Sequence, residues 1–231
     1  MEVQLSKRLQ AIADCVPAGS RVVDVGTDHG YIPIYLIQNH IVKSCIATDI
    51  NKGPVANAKR QIARFGLKDI DVRLGRGLEP IREGETDVLM ISGMGGYLIC
   101  DILKAALPLV KKSSQLILQP QQDVPVVRRF LHTIGFCISN ECFVEDEGKY
   151  YTILVAQPGK ECYTKEYEYT YGKCLIEKRD PIFKEWLLLK QKRLEAIEAQ
   201  LEGVETPTSL KRKEALKKEK LMHKEVMACI F

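Results

Sequence analysis

The segment Arg21-Val-Val-Asp-Val-Gly-Thr-Asp-His-Gly-Tyr-Ile-Pro33 constrains the rest of the chain more than any other. Val22 to Val25 read as a buried strand, Gly26 to Gly30 as a turn, and Tyr31–Pro33 as the start of a helix. A strand, a glycine turn and a helix in that order belong to an open α/β sheet, which binds ligands beyond the carboxyl ends of its strands. The chemistry of the turn selects among ligands. A pyrophosphate cradle needs glycines and positive charge, so that backbone N–H groups can approach an anion. Here Asp24 precedes Gly26, and Thr27, Asp28 and His29 separate it from Gly30. Two carboxylates repel a pyrophosphate and attract a cation.

S-adenosylmethionine (SAM) is a ligand of that kind. It carries a sulfonium and an ammonium group and no phosphate, so the turn suits SAM better than NAD. Gly26 and Gly30 are also explained by a tight turn that needs positive φ and nothing more. The next predicted strand, Ser44-Cys-Ile-Ala-Thr-Asp49, adds a second sign. An acid at the end of that strand accepts the ribose hydroxyls of an adenosine. Asp49 has a local reading too, as N-cap of the helix beginning near Lys52 or Gly53, a role open to Asn51 as well.

The chain has 231 residues, enough for one α/β domain and an appendage. A hydrophobic fraction of 45% and a charged fraction of 28% are those of a soluble globular protein. The opening Met-Glu-Val-Gln-Leu-Ser-Lys-Arg has no apolar core, which predicts no signal peptide, and no run reaches membrane-spanning length. Eight cysteines are scattered without a CxxC pair, and the four histidines show no ligand spacing. That pattern predicts a cytoplasmic protein with reduced thiols and no metal. The net charge of +4 says little by itself. Its distribution says more: Lys211, Arg212, Lys213, Lys217, Lys218, Lys220 and Lys224 crowd one segment against Glu214 and Glu219. The plain reading of such a run is a solvated helix face.

Taken in order, Leu5, Leu9 and Ile12 have helical spacing, with Ser6 as a possible cap. Helices are predicted at Tyr31–Gln38, Pro54–Phe65, Tyr97–Val110 and Val124–Ile134. Strands are predicted at 44–48, 70–74, 86–91 and 114–119. A hairpin of 135–144 and 150–156 follows, joined by Glu145-Asp-Glu-Gly148. The expected fold is a doubly wound α/β sheet ending in a reversed strand. Right-handed crossovers bring the turns after its first four strands to one edge. Composition changes after Gln157-Pro-Gly. Four tyrosines crowd 163–171, and Pro181 starts a long helix with Phe183, Leu187, Lys190, Leu194, Ile197 and Leu201 in a three/four stagger. Gly203 and Pro207 interrupt it, Thr206 or Thr208 can cap its successor, and Leu210–Cys229 is a second, basic helix. The expected division is a sheet domain over 1–158 and an antiparallel helical hairpin over 159–231.

Four segments together, Asp24-Val-Gly-Thr-Asp-His-Gly30, Thr48-Asp-Ile50, Gly75-Arg-Gly-Leu78 and Ser92-Gly-Met-Gly-Gly96, resemble a specific family. They are similar to the bacterial tRNA (adenine-22-N1)-methyltransferases, class I SAM-dependent enzymes, and the likeness runs from the Leu-Ser-Lys-Arg-Leu opening to the C-terminal hairpin. The resemblance implies methylation of N1 of an adenine in the D-arm region of tRNA, with SAM as methyl donor. It implies cofactor contacts at Asp24 and at Gly26, Thr27, Asp28, His29 and Gly30 around the methionine part. It further implies Asp49 and Ile50 at the ribose, Gly77 and Leu78 at the adenine ring, and Gly93 and Met94 among the cofactor contacts; Gly93, Met94, Gly95 and Gly96 would also let the target base slide past the backbone, or simply form a helix-entry turn. Arg76 departs from the pattern: Asp is common at that position, where it accepts the N6 hydrogens of the cofactor's adenine, and Arg cannot accept.

Ser92-Gly-Met-Gly-Gly96 has no acceptor–proline pair of the type used on exocyclic amines. A ring nitrogen needs less help, because N1 of neutral adenine has an in-plane lone pair and catalysis is mostly alignment. The product is cationic until an N6 proton leaves, so a nearby carboxylate stabilises it. Asp28 is the candidate for that role and His29 a lesser proton acceptor; each is also explained as a turn or cofactor contact. Adenine N1 is buried in base pairing and must be exposed before reaction. Beside such a domain, Lys211, Arg212, Lys213, Lys217, Lys218, Lys220 and Lys224 become a candidate tRNA clamp, while the tyrosines read as packing. A monomer is expected. Three alternatives stand: a methyltransferase for another RNA or a small molecule, a nicotinamide oxidoreductase, and a non-catalytic RNA-binding module.

Overall fold

A computed structural model describes residues 3–231. Met1 and Glu2, the first residues of the opening read as carrying no signal peptide, lie outside the described part. The chain divides into two compact units, Met1–Glu161 and Cys162–Phe231.

In the first unit the strands are β1 (Arg21–Val25), β2 (Ser44–Asp49), β3 (Ile70–Leu74), β4 (Val88–Gly95), β5 (Gln115–Gln122), β6 (Phe136–Asp146) and β7 (Lys149–Pro158). They form a seven-stranded sheet in the order β3-β2-β1-β4-β5-β7-β6. β1 to β5 pair in parallel, and β7 runs antiparallel to both β5 and β6. This is the doubly wound sheet with one reversed strand that the sequence predicts. The chain reverses strand order between β1 and β4, so the carboxyl ends of those strands flank a crevice. The central strands are apolar throughout: Val88 to Ile91 and Leu116 to Leu118 are completely buried. Helices on both faces exclude water from a parallel sheet and make continuous apolar runs necessary.

The helices of this unit are α1 (Lys7–Ala13), α2 (Tyr31–Gln38), α3 (Lys52–Phe65), α4 (Gly96–Ala105), α5 (Leu107–Val110) and α6 (Val124–Thr133). Ser6 caps α1, its Oγ accepting from Leu9 N at 3.4 Å. The single helix predicted over 97–110 is two, because Pro108 has no N–H for the ladder and its ring crowds the preceding turn. β4 runs four residues past its predicted end, through Ser92-Gly-Met-Gly95, where it pairs irregularly with β5. The β6–β7 turn places Glu147 and Gly148 at φ 52° and 75°, the handedness a tight hairpin requires. Beneath β6, Arg128 of α6 reaches Glu141; Nε and Nη2 both lie 2.7 Å from Oε1, and both side chains are sealed from solvent.

The second unit holds a π-helical turn (Glu168–Gly172), α7 (Lys173–Lys178), α8 (Pro181–Leu201) and α9 (Pro207–Ile230). Asp180 caps α8, and Thr206 with Ser209 forms a reciprocal capping box on α9. Phe183, Leu187 and Leu194 of α8 are buried with Leu216, Val226 and Ile230 of α9. Lys190 falls on the same stagger but lays its ammonium over the Tyr171 and Trp186 rings, 5.0 and 5.2 Å from their centroids. Tyr163, Tyr169 and Tyr171 are buried, which makes them packing residues.

Candidate active site

The turn after β1 is pinned before it is functional. The N–H groups of Gly26 and Thr27 both donate to the Thr48 carbonyl of β2, at 2.8 and 2.9 Å. Gly26 has φ 79°, and the Met94 methyl occupies the place where a Cβ would stand. No other residue satisfies both conditions. Gly30 closes the turn at φ 72° as N-cap of α2. Behind the turn, Asp24 is buried. Burial raises its carboxyl to about 6, against the lowering effect of a Thr27 hydrogen bond and with a small push from Asp49.

A cavity of about 390 Å³ opens over this turn. Asp24, Gly26, Thr27, Asp28, His29 and Gly30 line it from the β1 side, with Tyr31 and Ile32 of α2, Ser92 and Gly93 of β4, Gln121 of β5, and Arg8 and Leu9 of α1. Asp28 and His29 face each other, Oδ2 to Nε2 at 3.2 Å, at the rim; His29 stacks on Tyr31 with ring centroids 5.3 Å apart. Arg8 was readable from sequence only as part of an amphipathic helix. In the fold its Nη1 donates to Gln119 Oε1 at 2.8 Å, and its guanidinium lies over the Tyr151 ring. Gln119 is fully buried and accepts Gly93 N as well, at 3.2 Å. The contact from Arg8 to Gln119 spans 111 positions, so no local pattern announces it.

The remaining predicted cofactor residues do not line that cavity. Asp49 Oδ1 accepts Asn51 N at 2.7 Å; Asn51 takes the N-cap position of α3 with extended backbone but no side-chain cap bond, so of the two offered caps it is Asn51 and not Asp49 that stands there. Ile50 next to it is 61% exposed, a bare apolar surface at the sheet edge. Gly77 and Leu78 line a separate cavity of about 260 Å³ with Arg76, Leu98, Asp101 and Ile102. Leu78 itself is buried, and Gly77 is held by Thr48 Oγ1 donating to its carbonyl at 3.1 Å. Asp101 is an acid on that wall which sequence reading passed over. The signal was there: Leu98, Asp101, Ile102 and Ala105 fall on one face of α4 at helical spacing.

A methyltransferase-domain family matches residues 5–154. The chain is 42% identical over 159 residues to the tRNA (adenine(22)-N(1))-methyltransferase of Bacillus subtilis, covering 68% of this chain and 67% of that one. The chain belongs to the tRNA (adenine(22)-N1)-methyltransferase family. A Streptococcus pneumoniae structure, described as a putative tRNA (m1A22) methyltransferase in complex with S-adenosyl-L-methionine, superposes with TM-score 0.86 at 33% identity. That match covers 96% of this chain and 99% of that one. A Mycoplasma capricolum family structure with S-adenosyl-homocysteine gives 0.83 at 27% identity, covering 98% and 99%. The family's fold therefore extends over both units of this chain, including α8 and α9.

Of the basic residues on α9, Lys218 pairs with Glu214 at 3.2 Å and Lys220 with Glu198 of α8. Lys211, Arg212, Lys213, Lys217 and Lys224 have no ion pair among the described residues, and all but the half-buried Lys213 are exposed. Among the described residues no group of His, Cys, Asp and Glu is arranged to hold a metal ion, and no helix is long and apolar enough to cross a membrane.

Proposed function

We propose that this chain transfers the methyl group of SAM to N1 of adenine 22 of tRNA, with the crevice between β1 and β4 as the active site. The observation that carries the reading is the charge pattern of the cavity over the glycine turn. Asp24 presents a carboxylate and Arg8 a guanidinium to one space floored by bare backbone at Gly26. The methionine tail of SAM carries the complementary ammonium and carboxylate. A pyrophosphate has no use for Asp24 or Asp28, which argues against a nicotinamide cofactor. SAM when bound supplies an electrophilic methyl on sulfur. Asp49 takes the ribose hydroxyls through the oxygen Asn51 leaves free, Ile50 stands beside it at the ribose, and Gly77 and Leu78 border the adenine ring.

The chain's own part in the reaction is alignment and charge. Gly93, lacking a side chain at the end of β4, lets a planar base lie against the backbone. Asp28 stands at the rim, steadied by His29, where it stabilises the positive charge of the N1-methylated ring and takes an N6 proton. Lys211, Arg212, Lys213, Lys217 and Lys224, with Lys218 and Lys220 as weaker members, bind the phosphate backbone. An enzyme with this substrate works where tRNA is, in the cytoplasm.

The test is methyl transfer from labelled SAM to unmodified bulk tRNA, followed by nucleoside analysis. The expected product is 1-methyladenosine at position 22. SAM binding without any methylated nucleoside would sink the tRNA reading and leave a small-molecule methyltransferase in its place.

A further inference from the structure

The geometry points to Gln121 as the residue that recognises the target base, its carboxamide pairing with the N6 and N7 edge of the adenine to be methylated. This assignment rests on the methyl-transfer reading above and goes one residue further.

The sheet order separates two halves of the crevice. Cofactor chemistry lies at the ends of β1 and β2, in Asp24, the glycine turn and Asp49. A methyl acceptor must lie beside the donor and outside it, which leaves the ends of β4 and β5. There the cavity is lined by Ser92, Gly93 and Gln121. A Cβ on Gly93 would stand 4.0 Å from both Gln121 Nε2 and Arg8 Nη1; Arg8 Nη1 is already committed to Gln119, and the Gln121 amide borders the open backbone against which a flat ring can lie.

Three glutamines end β5, and they are not equivalent. Gln119 is fully buried and committed, accepting from Arg8 and Gly93 and donating to the Pro120 carbonyl. Gln122 lies against Gly95 and does not line the cavity. Gln121 is exposed, faces the cavity, and has no hydrogen-bond partner among the described residues.

The reaction dictates which edge of the base can be held. Methylation at N1 requires the Watson–Crick edge to face the donor, so recognition must come from elsewhere. The opposite edge of adenine presents one acceptor, N7, and one donor, N6–H, and a carboxamide matches them with Nε2–H and Oε1. Guanine carries O6 in place of the amino group and would set oxygen against oxygen. Gln121 therefore selects adenine while leaving N1 free.

The experiment uses the full-length protein and tRNA with 7-deazaadenosine at the target position, which deletes the N7 acceptor and keeps N1 and N6. With wild-type protein kcat/KM is expected to fall about tenfold or more on the deaza substrate. Gln121→Leu is expected to lose about as much on ordinary tRNA and nothing further on deaza-tRNA, with SAM affinity within about twofold of wild type. Gln121→Asn, which keeps the amide on a shorter arm, guards against a folding artefact of the leucine variant. Its expected result is a partial loss with a remaining deaza penalty. Equal deaza penalties in wild type and Gln121→Leu, or a leucine variant as active as wild type, overturn the assignment. Wild-type protein that forms no 1-methyladenosine on ordinary tRNA overturns the methyl-transfer reading and this assignment with it.

Discussion

Asp24 is a charged group in a dry place at neutral pH. Its carboxyl sits near 6 in the folded protein against 3.8 ordinarily, so between those values the folded state holds the proton more tightly than the unfolded one. Stability from this group is full below the lower value and is lost as pH rises through the upper. Asp24→Asn is therefore expected to be more stable than wild type at pH 7.5, by on the order of 2 kcal/mol, with the gap closing towards pH 4. Urea melts at the two pH values check it. The same change should weaken SAM binding, and wild-type affinity should fall as the pH drops below 6, read by calorimetry. At the rim, Asp28→Asn is expected to lower the single-turnover rate on tRNA roughly a hundredfold while leaving tRNA affinity unchanged. Residues tied to backbone form were legible in the sequence: Gly26 and Gly30 both have the positive φ that their spacing implied. Arg8 and Gln121 were not, because their place in a cavity depends on partners far along the chain.

At the scale of elements, the tie between α6 and β6 is the Arg128–Glu141 pair, both members sealed from water. Removing one partner takes a charge-assisted contact out of a site closed to water. Arg128→Ala is expected to destabilise the protein by about 3–5 kcal/mol, whereas the paired change Arg128→Met with Glu141→Leu should recover most of that loss. Thermal melts of the single and double variants decide it. Helix and strand positions were readable wherever apolar periodicity was strong, as in α3 and the central strands. Two departures have local causes. Pro108 divides a periodic helix, and β4 continues through glycines whose low strand propensity hides a pairing dictated by β5. The turn of π-helix before α7 carries no periodic signature that distinguishes it from an ordinary helix.

For the whole molecule, the seven strands and their order follow from short right-handed connections, and this is why the class of sheet was readable before any contact was known. The role of the second unit was less so, since its basic run suits either a solvated face or an RNA grip. The two separate by salt. Charge reversal at Lys211, Arg212 and Lys213 is expected to weaken tRNA binding by tenfold or more at 50 mM salt, to flatten the dependence of log K on log salt, and to leave SAM affinity intact. Filter binding over a salt series measures it. The insertion of β7 between β5 and β6 has a further consequence, for biosynthesis. A growing chain cannot finish its sheet in the order in which it is made. Until residues 149–158 have left the ribosome, β5 is an open edge of buried-type side chains, and β6 has nothing to pair with. Chains ending at Gly148 are expected to aggregate on expression, whatever the intactness of the glycine turn, and the soluble fraction of such truncations is the readout. The last strand drawn from the sheet unit's own sequence is the one that shields the rest.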